Sequence, residues 1–208
     1  MLNEDVLKEF IFECEMRRLS KRTIQSYRNA NLRMMKYLEQ EFHITELEQT
    51  HHLAIRAYVQ YQTAQGLAET YINRNMIAYR CYFNYCIKEN YITNNPMDRI
   101  SKQKEPIVMI ETFNDDEVKR LIGVFKGSRF LDVRNQLLMV MFFDTGMRNS
   151  EMCDLKIEDL RDTYIRVMGK GKKMRYLPIT PFINKYLIRY LRVRESYIKD
   201  KLCYQTEY

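Results

Sequence analysis

Arg148 stands directly after a glycine turn in DTGMRNSE (144–151), with Glu151 three residues further on, and residues 169–175 read GKGKKMR. A guanidinium is planar, permanently charged and able to grip an oxyanion with two N–H groups, so one presented at a turn is suited to neutralising a phosphate oxygen. Lysines at a hairpin tip add further cations, and neighbouring positive charge lowers a lysine pKa toward the range where it can deliver a proton. A carboxylate one helical turn beyond the arginine can steady it. Taken singly, each motif also has a plainer reading. Arg148 and Glu151 fit a surface i,i+3 pair, and Gly-Lys-Gly fits an ordinary turn.

The elements that must position these groups follow from periodicity. Apolar residues recur at helical spacing over 4–19 (Leu7, Phe10, Ile11, Cys14) and 20–42 (Ile24, Tyr27, Leu32, Met35, Leu38), with Ser20 and Thr23 where the second helix needs a cap. Further helices are expected over 51–65 and 68–90, the latter carrying an aromatic stripe (Tyr71, Tyr79, Tyr82, Phe83, Tyr85) that reads as core. The stretch 93–113 loses this period and carries two prolines, so it reads as a linker. Asn114 then caps a helix begun by Asp115, Asp116 and Glu117. An apolar run over 130–144 predicts a buried helix that ends at Gly146, and 148–158 predicts another. The sequence TYIRVMGKGKKMRYLPI switches to strand alternation around Gly-Lys-Gly, a hairpin signal, before a last helix over 182–203. Phe182, Ile183, Tyr186, Leu187, Tyr190 and Leu191 are expected on its inner side.

Composition narrows the chemistry. The chain has 208 residues, 46% hydrophobic and 29% charged, which suits a helix-rich folded protein of two small domains. Net charge is +7, and the window 164–201 holds 11 basic residues against Glu195 and Asp200, the footprint of a phosphate-backbone binder. Five cysteines without a C-x-x-C, and three histidines (His43, His51, His52) outside any H-E-x-x-H, disfavour a disulfide framework and a zinc site. Buried reduced thiols are expected, with no metal and no cofactor. Ser150 has no histidine in the second half of the chain to activate it as a nucleophile. The N-terminal MLNEDVLKEFIFECEMRR is neither a leader nor a membrane span, so a cytoplasmic protein is expected.

TGMRNSEMCDLKIEDL followed by IRVMGKGKKMRYLPI resembles the first half of the catalytic domain of the tyrosine recombinase (phage integrase) family. LSKRTIQSYRNANLRMMKYL and ITNNPM are similar to that family's core-binding domain and its exit. The resemblance implies a mainly α fold with a small β-hairpin. An N-terminal four-helix core-binding (SAM-like) bundle over 1–104 would be followed by an incomplete α+β catalytic domain over 105–208. It implies Arg148 as first catalytic arginine, Glu151 as supporting acid, and Lys170 as general acid, with Lys172 and Lys173 as adjacent competitors.

Duplex DNA is the implied partner, met by Lys21, Arg22, Arg28, Arg74 and Arg80 from one domain and by Lys172, Lys173 and Arg175 of the hairpin from the other. Site-specific recombination is the implied activity, with a longer parent assembling as a tetramer on paired sites. The family's His-x-x-Arg box and nucleophilic tyrosine find no match, and Tyr204 and Tyr208 are not expected to supply the nucleophile. The chain therefore reads as a truncated integrase that does not cleave strands on its own. The alternatives are an inactive DNA-binding relative and a helical protein-interaction module.

Overall fold

The computed structural model describes residues 1–169, 171 and 173–205, with side chains through Lys201. It divides into two compact units, Met1–Met109 and Ile110–Tyr208.

The first unit contains α1 (Asn3–Met16), α2 (Lys21–Phe42), α3 (His52–Ala64) and α4 (Glu69–Lys88). Ser20 stays extended and its hydroxyl accepts from the Thr23 N–H at 3.1 Å, satisfying one of the donors that a helix start leaves open. Most of the aromatic stripe of α4 is core: Tyr79, Tyr82 and Phe83 are fully buried and Tyr85 packs against them, whereas Tyr71 is only half-buried and lies under Arg74. Phe10 of α1 meets the Tyr82 ring edge-on at 5.8 Å, and Met34 and Leu38 of α2 and Ile55 of α3 share the same cluster. Large side chains at three- and four-residue spacing thus hold α4 against all three neighbours.

A 3-10 turn at Pro96–Arg99, capped by the Asn95 side chain, ends the bundle. The chain that follows is fastened by side chains rather than by a strand partner. Asn73 accepts from the Gln103 N–H at 2.9 Å while its amide donates to the Gln103 carbonyl at 2.9 Å and to Glu105 at 2.8 Å. Arg80 donates to the Ile100 carbonyl at 2.6 Å. These contacts meet the hydrogen-bonding needs of a backbone that has left regular structure. Past them, Ile107, Val108, Met109 and Ile110 are exposed.

The second unit contains α5 (Asp115–Val124), α6 (Phe130–Thr145), α7 (Asn149–Asp154), β1 (Tyr164–Met168), β2 (Met174–Pro178) and α8 (Pro181–Gln205). Asn114 and Glu117 form a reciprocal capping box at the start of α5. Leu137, Val140 and Met141 of α6 cluster with Ile183 and Leu187 of α8 and with Ile165 and Val167 of β1. In the antiparallel hairpin Ile165 lies opposite Leu177 and Val167 opposite Arg175. Because side chains alternate along a strand, Arg175 shares the inward face with these apolar residues.

Three expectations change. The helix expected over 148–158 ends at Asp154, because the Asp159 carboxylate captures the Lys156 N–H at 3.1 Å and sets up a separate 3-10 turn, Ile157–Asp159. Phe182 and Leu191, expected inside, are exposed, since α8 turns the Ile183 and Leu187 side toward α6. Cys14 and Cys86 are buried as reduced thiols, but Cys153 is exposed on α7. Among the described residues no helix is long and apolar enough to cross a membrane.

Candidate functional site

The turn that carries Arg148 is built in three steps. Gly146 ends α6 in the left-handed region, φ 62°, with its N–H on the Phe142 carbonyl at 3.1 Å. The Thr145 hydroxyl donates to the Met141 carbonyl at 2.6 Å and accepts from the Met147 N–H at 3.2 Å, so one side chain ties the end of α6 to the residue beyond the turn. Met147 is buried in the second unit's core and pins the chain. Arg148 then leaves the core as the N-cap of α7, its side chain 65% exposed.

An arginine has no acceptor with which to cap a helix, and Glu151 compensates from the third helical position. Its Oε2 accepts from the Arg148 N–H at 2.8 Å, and its Oε1 accepts from Arg148 Nη1 at 3.0 Å. Arg175 Nη2, arriving from β2, donates to the same Oε2 at 2.8 Å. The Glu151 side chain is only 4% exposed, a buried carboxylate between two guanidinium groups. The Arg148 backbone N–H, with the two guanidinium groups, holds its pKa below the ordinary glutamate range against the opposing effect of burial.

The hairpin tip begins beside this cluster. A Cβ at Gly169 would lie a tight 3.3 Å from the Lys173 carbonyl and at ordinary contact distance, 3.6 Å, from Glu151 Oε1, which puts Gly169 next to the carboxylate. The Gly169 N–H donates to that Lys173 carbonyl at 2.8 Å. Lys170 and Lys172 themselves lie outside the described residues, as does Tyr208, and the Tyr204 side chain does too. Lys173 is exposed.

In the first unit Lys21, Arg22 and Arg28 are exposed on α2. Arg74 is exposed on α4 and stacks over the Tyr71 ring at 5.4 Å. Arg80 is half-buried and committed to the Ile100 carbonyl. Three structural features escaped sequence reasoning: the ties made by Thr145 and by Asn73, and the inward direction of Arg175. The last had a signal, since alternation in MRYLP already puts Arg175 on the side of Leu177.

The fold and site together define a protein of two helical units, the second bearing an exposed arginine clasped by a buried acid that also bonds Arg175 of the β-hairpin. Residues 8–90 match the family model described as phage integrase, N-terminal SAM-like domain, and residues 111–205 match that of the phage integrase family. The chain belongs to the phage integrase, or tyrosine recombinase, family.

Among its relatives, tyrosine recombinase XerC of Thermodesulfovibrio yellowstonii is 29% identical over 188 residues, covering 88% of this chain and 60% of that protein. Tyrosine recombinase XerD of Oceanobacillus iheyensis is 26% identical over 186 residues, covering 88% and 62%. The chain thus spans about three fifths of the length of these recombinases. Of the solved structures, XerH site-specific recombinase bound to palindromic difH substrate is similar with a TM-score of 0.67 and 27% identity, over 83% of this chain and 53% of that one. A lambda integrase (75–356) dimer bound to a core site reaches a TM-score of 0.73 over 91% of this chain and 69% of that one; at 19% identity it speaks to the fold.

Proposed function

We propose that the chain is part of a site-specific recombinase that binds duplex DNA and neutralises the charge of a scissile phosphate with Arg148. The observation that carries this reading is the pose of Arg148: exposed at a helix start, its backbone and one Nη held by a buried carboxylate. When a phosphodiester is attacked, negative charge grows on the non-bridging oxygens, and a preorganised guanidinium stabilises it without reorganising at that moment. Lys170, on the tip that starts against Glu151, is assigned as the acid that protonates the leaving oxygen, with Lys172 and Lys173 beside it.

Lys21, Arg22, Arg28, Arg74 and Lys173 are assigned to DNA phosphates. Lambda integrase, which shares this fold, has been solved as a dimer bound to a core site and as a tetramer bound to a Holliday junction. An assembly of copies on paired sites is accordingly assigned to the whole recombinase, and the cytoplasm is assigned as its place of action.

The test is fluorescence anisotropy with a labelled duplex over a series of salt concentrations. The logarithm of the affinity falls linearly with log salt concentration, and Arg22→Ala or Lys173→Ala each reduces the magnitude of the slope by about 0.9, the release of one phosphate's counterion. Binding that does not respond to salt, or no binding, overturns the reading.

A further inference from the structure

The Arg148–Glu151 pair has a feature that Arg148 alone does not explain. A guanidinium beside a carboxylate tends to close on both oxygens with two parallel N–H bonds, a neutral, self-satisfied pair. Here Glu151 Oε2 is already taken by the Arg148 backbone N–H and by Arg175 Nη2, each at 2.8 Å, and Arg148's guanidinium reaches Oε1 alone, at 3.0 Å. The cluster of two guanidinium groups and one carboxylate carries a net charge of +1, whereas Arg148 and Glu151 by themselves would carry none.

We propose that Arg175 is a positioning residue for Arg148: by occupying Glu151 Oε2 from the inner face of the hairpin, it prevents the closed pair and leaves Arg148 an open, charged edge for a phosphate. The placement supports this role. Arg175 is directly opposite the buried Val167, its side chain is 36% exposed against 65% for Arg148, and it bonds the acid from the strand that leads away from the lysine tip. Arg175 thereby acts on phosphate through Glu151, and the same ion pair fastens β2 to α7. The proposal rests on the assignment of Arg148 as the phosphate ligand.

The experiment is a mutant cycle of Arg175→Ala, Glu151→Gln and the double variant, made in the full 208-residue chain, with folding checked by circular dichroism. Two readouts are taken. In the first, the Arg148 Nε–H resonance is followed as inorganic phosphate is added. In the second, affinity for a duplex oligonucleotide is measured by anisotropy. Arg175→Ala should suppress the phosphate response and weaken duplex binding about tenfold, the coupling expected of groups that share one network. Adding Glu151→Gln, which removes the negative charge that would close on Arg148, should restore the response and bring affinity back to within about threefold. Arg175→Lys, which keeps the charge, should stay close to the wild type.

A direct phosphate contact by Arg175 would leave the loss undiminished in the Glu151→Gln background. A purely structural clasp would also be eased by removing both partners, but Arg175→Ala would then lower thermal stability while leaving the response of the Arg148 resonance to phosphate unchanged. Either result overturns the proposal. Should Arg175→Ala not fold, Arg175→Met, which keeps the apolar bulk against the hairpin but makes no bond to Oε2, takes its place in the same cycle. If the wild-type chain binds no duplex, the DNA reading falls, and the proposal is decided by the Arg148 resonance alone. A wild-type Arg148 that ignores phosphate refutes it.

Discussion

Replacing Gly146 by alanine probes the turn that presents Arg148, and the structure separates its two possible costs. A Cβ placed at Gly146 meets no atom within 4 Å, so sterics contribute nothing. What remains is the left-handed backbone, φ 62° and ψ 24°, which costs an L-residue roughly 1–2 kcal/mol. Alanine also reduces the freedom of the unfolded chain, which offsets about 0.4–1 kcal/mol of that. The net destabilisation is then about 1 kcal/mol, which lowers the melting temperature of a unit of this size by roughly 4–8 °C. Asparagine tolerates the left-handed region through local hydrogen bonding, so Gly146→Asn should lose less than half as much. Valine, β-branched, should lose more than alanine. Differential scanning calorimetry of the three variants ranks them Asn, Ala, Val in increasing loss. Equal losses for Asn and Ala, or a loss for Ala of several kcal/mol, would refute the argument that conformation alone sets the cost.

The carboxylates of the second unit give a pH dependence with a definite sign. Glu151 is held below its ordinary range by the Arg148 N–H and the guanidinium groups, and Asp159 by Arg166 and the Lys156 N–H. Depressed folded-state values mean that stability is complete above the unfolded values near about pH 4 and falls as pH drops through the lower folded ones. Urea melts between neutral and acid pH should show this loss, and Asp159→Asn should flatten part of it. Asn73→Ala removes the paired bonds to Gln103, which should cost about 1–2 kcal/mol and raise exchange of the Gln103 amide about tenfold in hydrogen–deuterium exchange. A third expectation concerns covalent chemistry. With no His-x-x-Arg box in the sequence, the chain incubated with a nicked duplex should yield no protein–DNA adduct on a denaturing gel. A band carrying both would be located by Tyr204→Phe and Tyr208→Phe.

The helices were legible because their signals are local. Ser20 and Asn114 cap where short polar side chains should, and the Tyr79, Tyr82 and Phe83 stripe is buried as its spacing implies. The turn before Arg148 was legible from Gly146. What escaped depends on partners distant in sequence. Asn73 meets Gln103 and Arg80 meets Ile100, and neither separation leaves a periodic trace. The end of α7 escaped for a different, local reason: Asp159 captures the Lys156 N–H, which a continued helix would have given to the Met152 carbonyl.

The same blindness to partners inflates the basic footprint. The window 164–201 counts Arg166 and Arg175 as uncompensated, yet their carboxylates, Asp159 and Glu151, lie before the window opens. Arg166 sits 2.7 Å from Asp159, so the pair presents almost no net charge to a distant phosphate, while Lys173 is exposed at the hairpin. A counterion is released only where a cation neutralises a phosphate, so each true contact contributes about 0.9 to the salt slope and an internally paired arginine contributes little. Lys173→Met should therefore lower the slope of log affinity against log salt by about 0.9, whereas the double variant Arg166→Met and Asp159→Asn, which leaves the net charge of the chain unchanged, should not move it. If the double variant lowered the slope as far as Lys173→Met does, Arg166 would have to exchange Asp159 for DNA on binding, and the pairing seen in the unbound chain would be a resting state.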